Sequence, residues 1–162
     1  MPHARPTTDR AKEALFNILD QTYYFEDINV LDLYAGLGSI SLEFASRGSQ
    51  DITSIEYSRK SIYYISEIAK KLDLSIDLKN LKVQKYLKNT DKSFDIIFAD
   101  PPYKDASEIS ELIEIISAGS FLNTGGLFIL EHQSMSPITH PNIYETRNYG
   151  QSTFSFFKFD ED

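Results

Sequence analysis

The stretch Val30–Ser39, VLDLYAGLGS, decides the fold. Its first half is apolar and reads as a buried strand from Asn29 to Tyr34. The glycines Gly36 and Gly38 then turn the chain, and Ile40 to Arg47 reads as a short helix stopped by Gly48. Working outward, the same alternation recurs. DITSIE (Asp51–Glu56) predicts a second strand, and Ile62, Ile65, Ala69 and Leu72 mark the next helix. A weaker strand is expected within Ser75–Val83. FDIIFA (Phe94–Ala99) is a strong strand, followed by a helix marked by Ile109, Leu112, Ile113 and Ile116. GGLFILEH (Gly125–His132) opens another strand on a glycine pair. Ile143–Tyr149 and Ser152–Lys158 form two strands around the turn residue Gly150, and their alternation predicts an antiparallel edge hairpin. Before all of these, Ala11, Ala14, Leu15, Ile18 and Leu19 make a helical stripe with Asp9 as its expected N-cap.

Alternating strands and helices imply an α/β fold: a mostly parallel sheet with helices on both faces. Residues 1–162 form one domain, with no repeat, linker or low-complexity segment. The length suffices to bury a core, and 41% hydrophobic residues argue against disorder. No apolar run reaches the length of a membrane span, and MPHARPTTDR has no apolar leader core. The chain has no cysteine, which excludes disulfides and thiolate metal sites and makes the cytoplasm the expected compartment. A net charge of −8 argues against a protein that coats nucleic acid nonspecifically.

In such sheets ligands bind beyond the carboxyl ends of the strands, at the point where strand order reverses. The residues to inspect are Asp32 to Ser39, Glu56, Asp100 to Tyr103, and Glu131 with His132. Gly36 and Gly38 allow a tight turn and close approach to a ligand. A dinucleotide fingerprint would place a third glycine where Ser41 stands. Asp32, inside the strand, suits a cationic amine better than a pyrophosphate. Glu56 ends the second strand 20 residues after Gly36, where an acid captures a ribose diol. A nucleoside with an amino-acid tail satisfies both, and S-adenosylmethionine is such a molecule.

Asp100, Pro101, Pro102 and Tyr103 follow the Phe94–Ala99 strand. The prolines stiffen the turn and donate no N–H, so carbonyls there are left to accept. An acid beside a fixed carbonyl is a receptor for an –NH₂ group. Tyr103 offers a flat ring on which a base can stack, worth ~1–3 kcal/mol. An exocyclic amine is a poor nucleophile because its lone pair is delocalised into the ring. Two acceptors favour a geometry in which that pair is localised and aimed at a methyl donor. No metal is required.

RPTTDRAKEALFNIL, VLDLYAGLGSISLEFASRG, FDIIFADPPY and LFILEH resemble the RsmD family of bacterial methyltransferases, from Arg5 to about Phe157. The resemblance implies S-adenosyl-L-methionine as cofactor and guanine N2 of 16S ribosomal RNA as target. It implies a Rossmann-like class I methyltransferase fold, a seven-stranded sheet ending in an antiparallel hairpin. It implies that Asp32, Gly36, Gly38 and Glu56 belong to the cofactor site and Asp100 to Tyr103 to the catalytic motif. Tyr34, Ala35, Ser39, Tyr57 and Val83 complete the expected cofactor set, with Asp100 shared. Arg5, Thr7 and Thr8 match the leading motif, near the methionine end or the substrate entrance. The expected partner is small-subunit ribosomal RNA or the ribosomal particle, with no membrane, no metal and a monomeric protein.

Three departures stand out. Relatives carry an acid after the third strand to meet the adenine amine; Lys82 stands there, with Asn80 as a substitute. Leu37 occupies the middle of the glycine loop. The basic hairpin that leads the family's sequences is expected to be absent. The lysines Lys79, Lys82, Lys85, Lys88 and Lys92 form a basic stretch that can meet phosphates or solvent, and Arg10 and Lys12 add to Arg5 at the front. Glu131 and His132 read as a structural pair, and Tyr23, Tyr24 and Phe25 as core or rim. Two other readings are open: a DNA adenine-N6 or cytosine-N4 methyltransferase, which would want a target-recognition region, and a catalytically silent RNA-binding or ribosome-assembly module.

Overall fold

The structure is a computed structural model and describes residues 7–102 and 105–159. Its elements are helix α1 (Asp9–Asp20), strand β1 (Asn29–Leu33), α2 (Ser39–Ser46), β2 (Asp51–Ile55), α3 (Arg59–Leu72), β3 (Asp77–Lys79), α4 (Val83–Asn89), β4 (Phe94–Ala99), α5 (Ala106–Ala118), β5 (Leu122–Gln133), β6 (Ile143–Tyr149) and β7 (Ser152–Phe157). The seven strands form one sheet in the order β3-β2-β1-β4-β5-β7-β6. Strands β1 to β5 run parallel, and β7 pairs antiparallel with both β5 and β6. The expected class, including the closing hairpin, is the observed one. Among the described residues no helix is long and apolar enough to cross a membrane.

Alternation along the central strands sends side chains to two cores. Val30, Ile52, Ile96, Phe98 and Ile129 join Leu15 and Phe16 of α1 and Phe44 of α2 in one. Leu31, Leu33, Ile97, Phe128 and Leu130 join Tyr86 and Leu87 of α4 and Leu112, Ile113 and Ile116 of α5 in the other. Phe16 meets Phe44 edge-on at 4.6 Å between centroids, an arrangement that adds to simple burial. Phe25 is buried in the first core and Tyr24 is exposed.

One expectation is borne out in shorter form and two details differ. The weak strand expected within Ser75–Val83 is β3, only three residues long, and Val83 opens helix α4, which was not expected. The apolar side chains Val83, Tyr86 and Leu87 have the i, i+3, i+4 spacing that buries one helical face. The N-cap of α1 is Thr8 rather than Asp9. The Thr8 hydroxyl accepts from the Ala11 N–H at 3.2 Å, and Asp9 is the first helical residue, where its charge favours the helix dipole.

Candidate active site

Strand order reverses between β1 and β4, and a cleft of about 730 Å³ opens over their carboxyl ends. The loop from β1 to α2 forms its floor. Tyr34, Gly36 and Gly38 all have positive φ, at 60°, 59° and 83°. For Tyr34 this is a costly conformation, of order 1–3 kcal/mol, held by the surrounding fold. The two glycines do different work. Gly36 lines the cleft, and a Cβ there would meet no atom within 4 Å. Gly38 caps α2, and a Cβ would come within 2.7 Å of Ile65 in α3, so this glycine serves helix packing rather than close approach to a ligand. Leu37 is exposed and, with Ala35 and Ser39, lines the cleft.

Glu56 follows β2. Its carboxylate accepts from the Gly36 N–H and the Ser58 N–H, each at 2.8 Å. It therefore fixes the glycine loop while facing the cleft. A carboxylate has about four acceptor positions, so two such bonds leave capacity for a diol. Beyond Glu56 the wall continues through Tyr57 to Leu81, Lys82, Val83 and Gln84. Lys82 stands 5.2 Å from the centroid of the exposed Tyr57 ring. Asn80 is used otherwise: its amide donates to the Glu56 carbonyl at 3.1 Å and the Tyr57 carbonyl at 2.9 Å. Lys82 and Gln84, on either side of Val83, both line the cleft.

Asp32 lies at the bottom of the cleft, 2% exposed. It accepts from the Ser41 hydroxyl at 2.5 Å. Burial pushes its carboxyl up to about 7, against the Ser41 hydroxyl and N–H, which hold it down; Glu56 and Glu131 add to the rise. Ser41 thus occupies the missing-glycine position with a buried hydrogen bond.

Asp100 continues from β4, its N–H donating to the Leu33 carbonyl at 3.4 Å, and it lines the cleft together with Pro102. Pro101 is half-buried between them. Tyr103 and Arg5 lie outside the described residues. Thr7 reaches the cleft from the leading segment, buried, and its hydroxyl donates to Glu131 at 2.6 Å. Thr8 is the α1 cap and is exposed. Glu131 and His132 are both held by hydrogen bonds, as a satisfied structural pair would be. Alternation sends them to opposite faces, and the His132 ring bonds the Ser155 hydroxyl at 2.8 Å.

The basic stretch is dispersed. Lys79 pairs with Asp77 at 3.6 Å and Lys92 with Asp51 at 2.7 Å, while Lys85 and Lys88 are exposed on α4. Lys12 pairs with Glu43 at 3.7 Å. Sequence reasoning missed Ser58, Ser61, Leu81, Gln84 and Phe98 as cleft residues. Phe98 was legible, since it follows the same alternation as Asp100. Gln84 lies on α4, a helix the sequence reading did not include.

A family model described as conserved hypothetical protein 95 matches residues 1–158. Ribosomal RNA small subunit methyltransferase D of Buchnera aphidicola subsp. Baizongia pistaciae is 30% identical over 141 residues, 85% of this chain and 71% of that protein. The chain belongs to this family, the RsmD family. Membership makes it a methyltransferase by class, as its motifs lead one to expect. The RsmD-family chain also superposes on a hypothetical protein of Thermus thermophilus with a TM-score of 0.84 at 26% identity, covering 96% of this chain and 88% of that one. A more distant likeness is to the T. thermophilus 16S rRNA N2 methyltransferase RsmC in complex with AdoMet and guanosine. There the TM-score is 0.72 at 20% identity over 94% of this chain and 43% of that one, a likeness of fold.

Proposed function

We propose that this protein transfers a methyl group from S-adenosylmethionine to the N2 amine of a guanine in small-subunit ribosomal RNA. One observation carries the reading: the acid of the Asp100–Pro101–Pro102 turn opens into the same cleft as Asp32 and Glu56. The residues fit the cofactor chemically. Asp32 offers an acceptor to an ammonium group, Glu56 has acceptor capacity for a diol, and Leu81 and Val83 give a flat base an apolar wall. The cofactor supplies a methyl group on a sulfonium sulfur. Asp100 accepts one N–H of the target amine and a carbonyl of the proline turn accepts the other. This holds the nitrogen lone pair toward the methyl carbon. When bound, the cofactor would give up that methyl to the nitrogen and keep the C–S bonding electrons on sulfur. The proton that the nitrogen then sheds passes to Asp100 or to solvent. Tyr103 stacks on the base. The protein acts in the cytoplasm, as a monomer, on ribosomal RNA or its particle.

Two variants separate binding from chemistry. Asp100→Ala leaves cofactor affinity nearly intact and lowers methyl transfer at least about a hundredfold, ~2.7 kcal/mol of barrier. Glu56→Ala weakens cofactor binding by ~1.5–3 kcal/mol. Calorimetry and a labelled-methyl assay check both. Normal turnover by the Asp100 variant overturns the role of Asp100 as amine acceptor, and unchanged affinity in the Glu56 variant overturns that of Glu56 as diol acceptor.

A further inference from the structure

Beneath the glycine loop lies a polar cluster that methyl transfer does not by itself require. Asp32 of β1 and Ser54 of β2 are partners across the parallel register. Ser41, in the first turn of α2, sits between them. Its hydroxyl is 2.5 Å from Asp32 and 2.5 Å from the Ser54 hydroxyl. Asp32 is 2% exposed and both serines are 0% exposed. Val30, Ile40, Ile52 and Phe98 around them belong to the apolar core. Polar groups in such a place are costly unless they satisfy one another.

The cluster has a direction. A hydroxyl carries one hydrogen. With Asp32 ionised, the Ser41 hydrogen goes to Asp32, and Ser54 then donates to Ser41. The chain of hydrogen bonds runs Ser54 to Ser41 to Asp32 and ends on a carboxylate oxygen at the bottom of the cleft. Both links favour the ionised carboxylate, because each donates toward it.

We propose that Ser41 and Ser54 are positioning residues: their relay lowers the pH at which Asp32 becomes an ionised acceptor for the cofactor's ammonium group and so sets the pH range in which the cofactor binds. This rests on the function proposed above. The other groups around Asp32 oppose ionisation. Glu56 at the end of β2 and Glu131 near the end of β5 both push its carboxyl upward. Asp100 follows two residues after Phe98, the β4 partner of Asp32, on the same face. Thr7 is neutral and engaged with Glu131. Ser41, through its hydroxyl and its N–H, is the group that counters burial and like charge, and Ser54 acts through the Ser41 hydroxyl. Removing either raises the pH at which Asp32 ionises, and a cationic ligand then binds less well below that pH.

The test is calorimetric titration of S-adenosylmethionine at pH 6, 7 and 8 into the wild-type protein and the Ser54→Ala, Ser41→Ala and Asp32→Asn variants, with a thermal melt of each. A rise of one pKa unit makes the Ser54→Ala affinity ~10-fold weaker than wild type at pH 6, and the gap narrows to ~2-fold at pH 8. The cofactor's own amine cancels in this ratio. Ser41→Ala shows a larger gap of the same shape. A purely structural role gives a ratio that does not change with pH, and that result overturns the relay. Should a serine variant fail to fold, wild-type binding at pH 6 in two buffers of different ionisation heat decides the matter. It should release close to one proton per cofactor, with none released in Asp32→Asn; no release from wild type overturns the proposal. Absence of cofactor binding to the wild-type protein at every pH instead overturns the function on which the proposal rests.

Discussion

Asp32 joins stability to binding in one side chain. Its folded carboxyl is pushed up to about 7 from an ordinary 3.8, chiefly by burial. The folded protein therefore binds more protons than the unfolded chain between these values, and stability falls as pH rises through that window. Asp32→Asn removes the titration. The melting temperature of the variant relative to wild type, both without cofactor, should therefore rise from pH 4.5 to pH 8. A difference that stays constant with pH would contradict the buried, acid-raised Asp32. The position of Asp32 before the glycine loop was legible in the sequence, as were Glu56 and Asp100, because each follows or ends a strand whose apolar run is unmistakable. The partners of Asp32 were not legible. Ser41 read only as a missing glycine, and Ser54 as an ordinary strand residue. Their meaning depends on the register of β1 against β2 and on the angle at which α2 crosses, neither of which is local information.

At the scale of elements, the segment leading into α1 brings Thr7 to the cleft, and α1 begins at a cap one residue before the expected one. Thr8→Ala should cost ~1 kcal/mol of unfolding free energy in urea, as N-cap losses do, while Asp9→Ala costs less. Equal losses from both, or a larger loss at Asp9, would contradict the observed cap. The sequence supports both choices, since Thr8 and Asp9 are each good caps. Only the hydrogen bond from Ala11 separates them. The short elements were the hardest to read. β3 has only three residues, inside the segment where a weak strand was expected, and α4 has seven, a helix that was not expected. Its spacing of Val83, Tyr86 and Leu87 was present in the sequence, but so short a helix draws its stability from packing on the sheet rather than from its own propensity. The long, strongly patterned elements β1, β4, α3 and α5 were readable to within a few residues at their ends.

For the whole molecule, the sheet order explains why residues so far apart in sequence share one cleft. The chain builds β1, β2 and β3 outward in one direction, then returns to set β4 on the other side of β1. The loops after β1, β2 and β4 thereby surround a single crevice, and the closing hairpin β6–β7 covers the far side of β5. The alternation of strands and helices was enough to read this class, and the motifs to read the family. The central claim is that this cleft methylates an exocyclic amine of guanine. The most direct test supplies labelled S-adenosylmethionine with small ribosomal subunits, free small-subunit RNA or duplex DNA, then digests the product and identifies the modified nucleoside by mass spectrometry. The account predicts N2-methylguanosine from the ribosomal RNA substrates. Methylated adenine, or label found only in DNA, would contradict it.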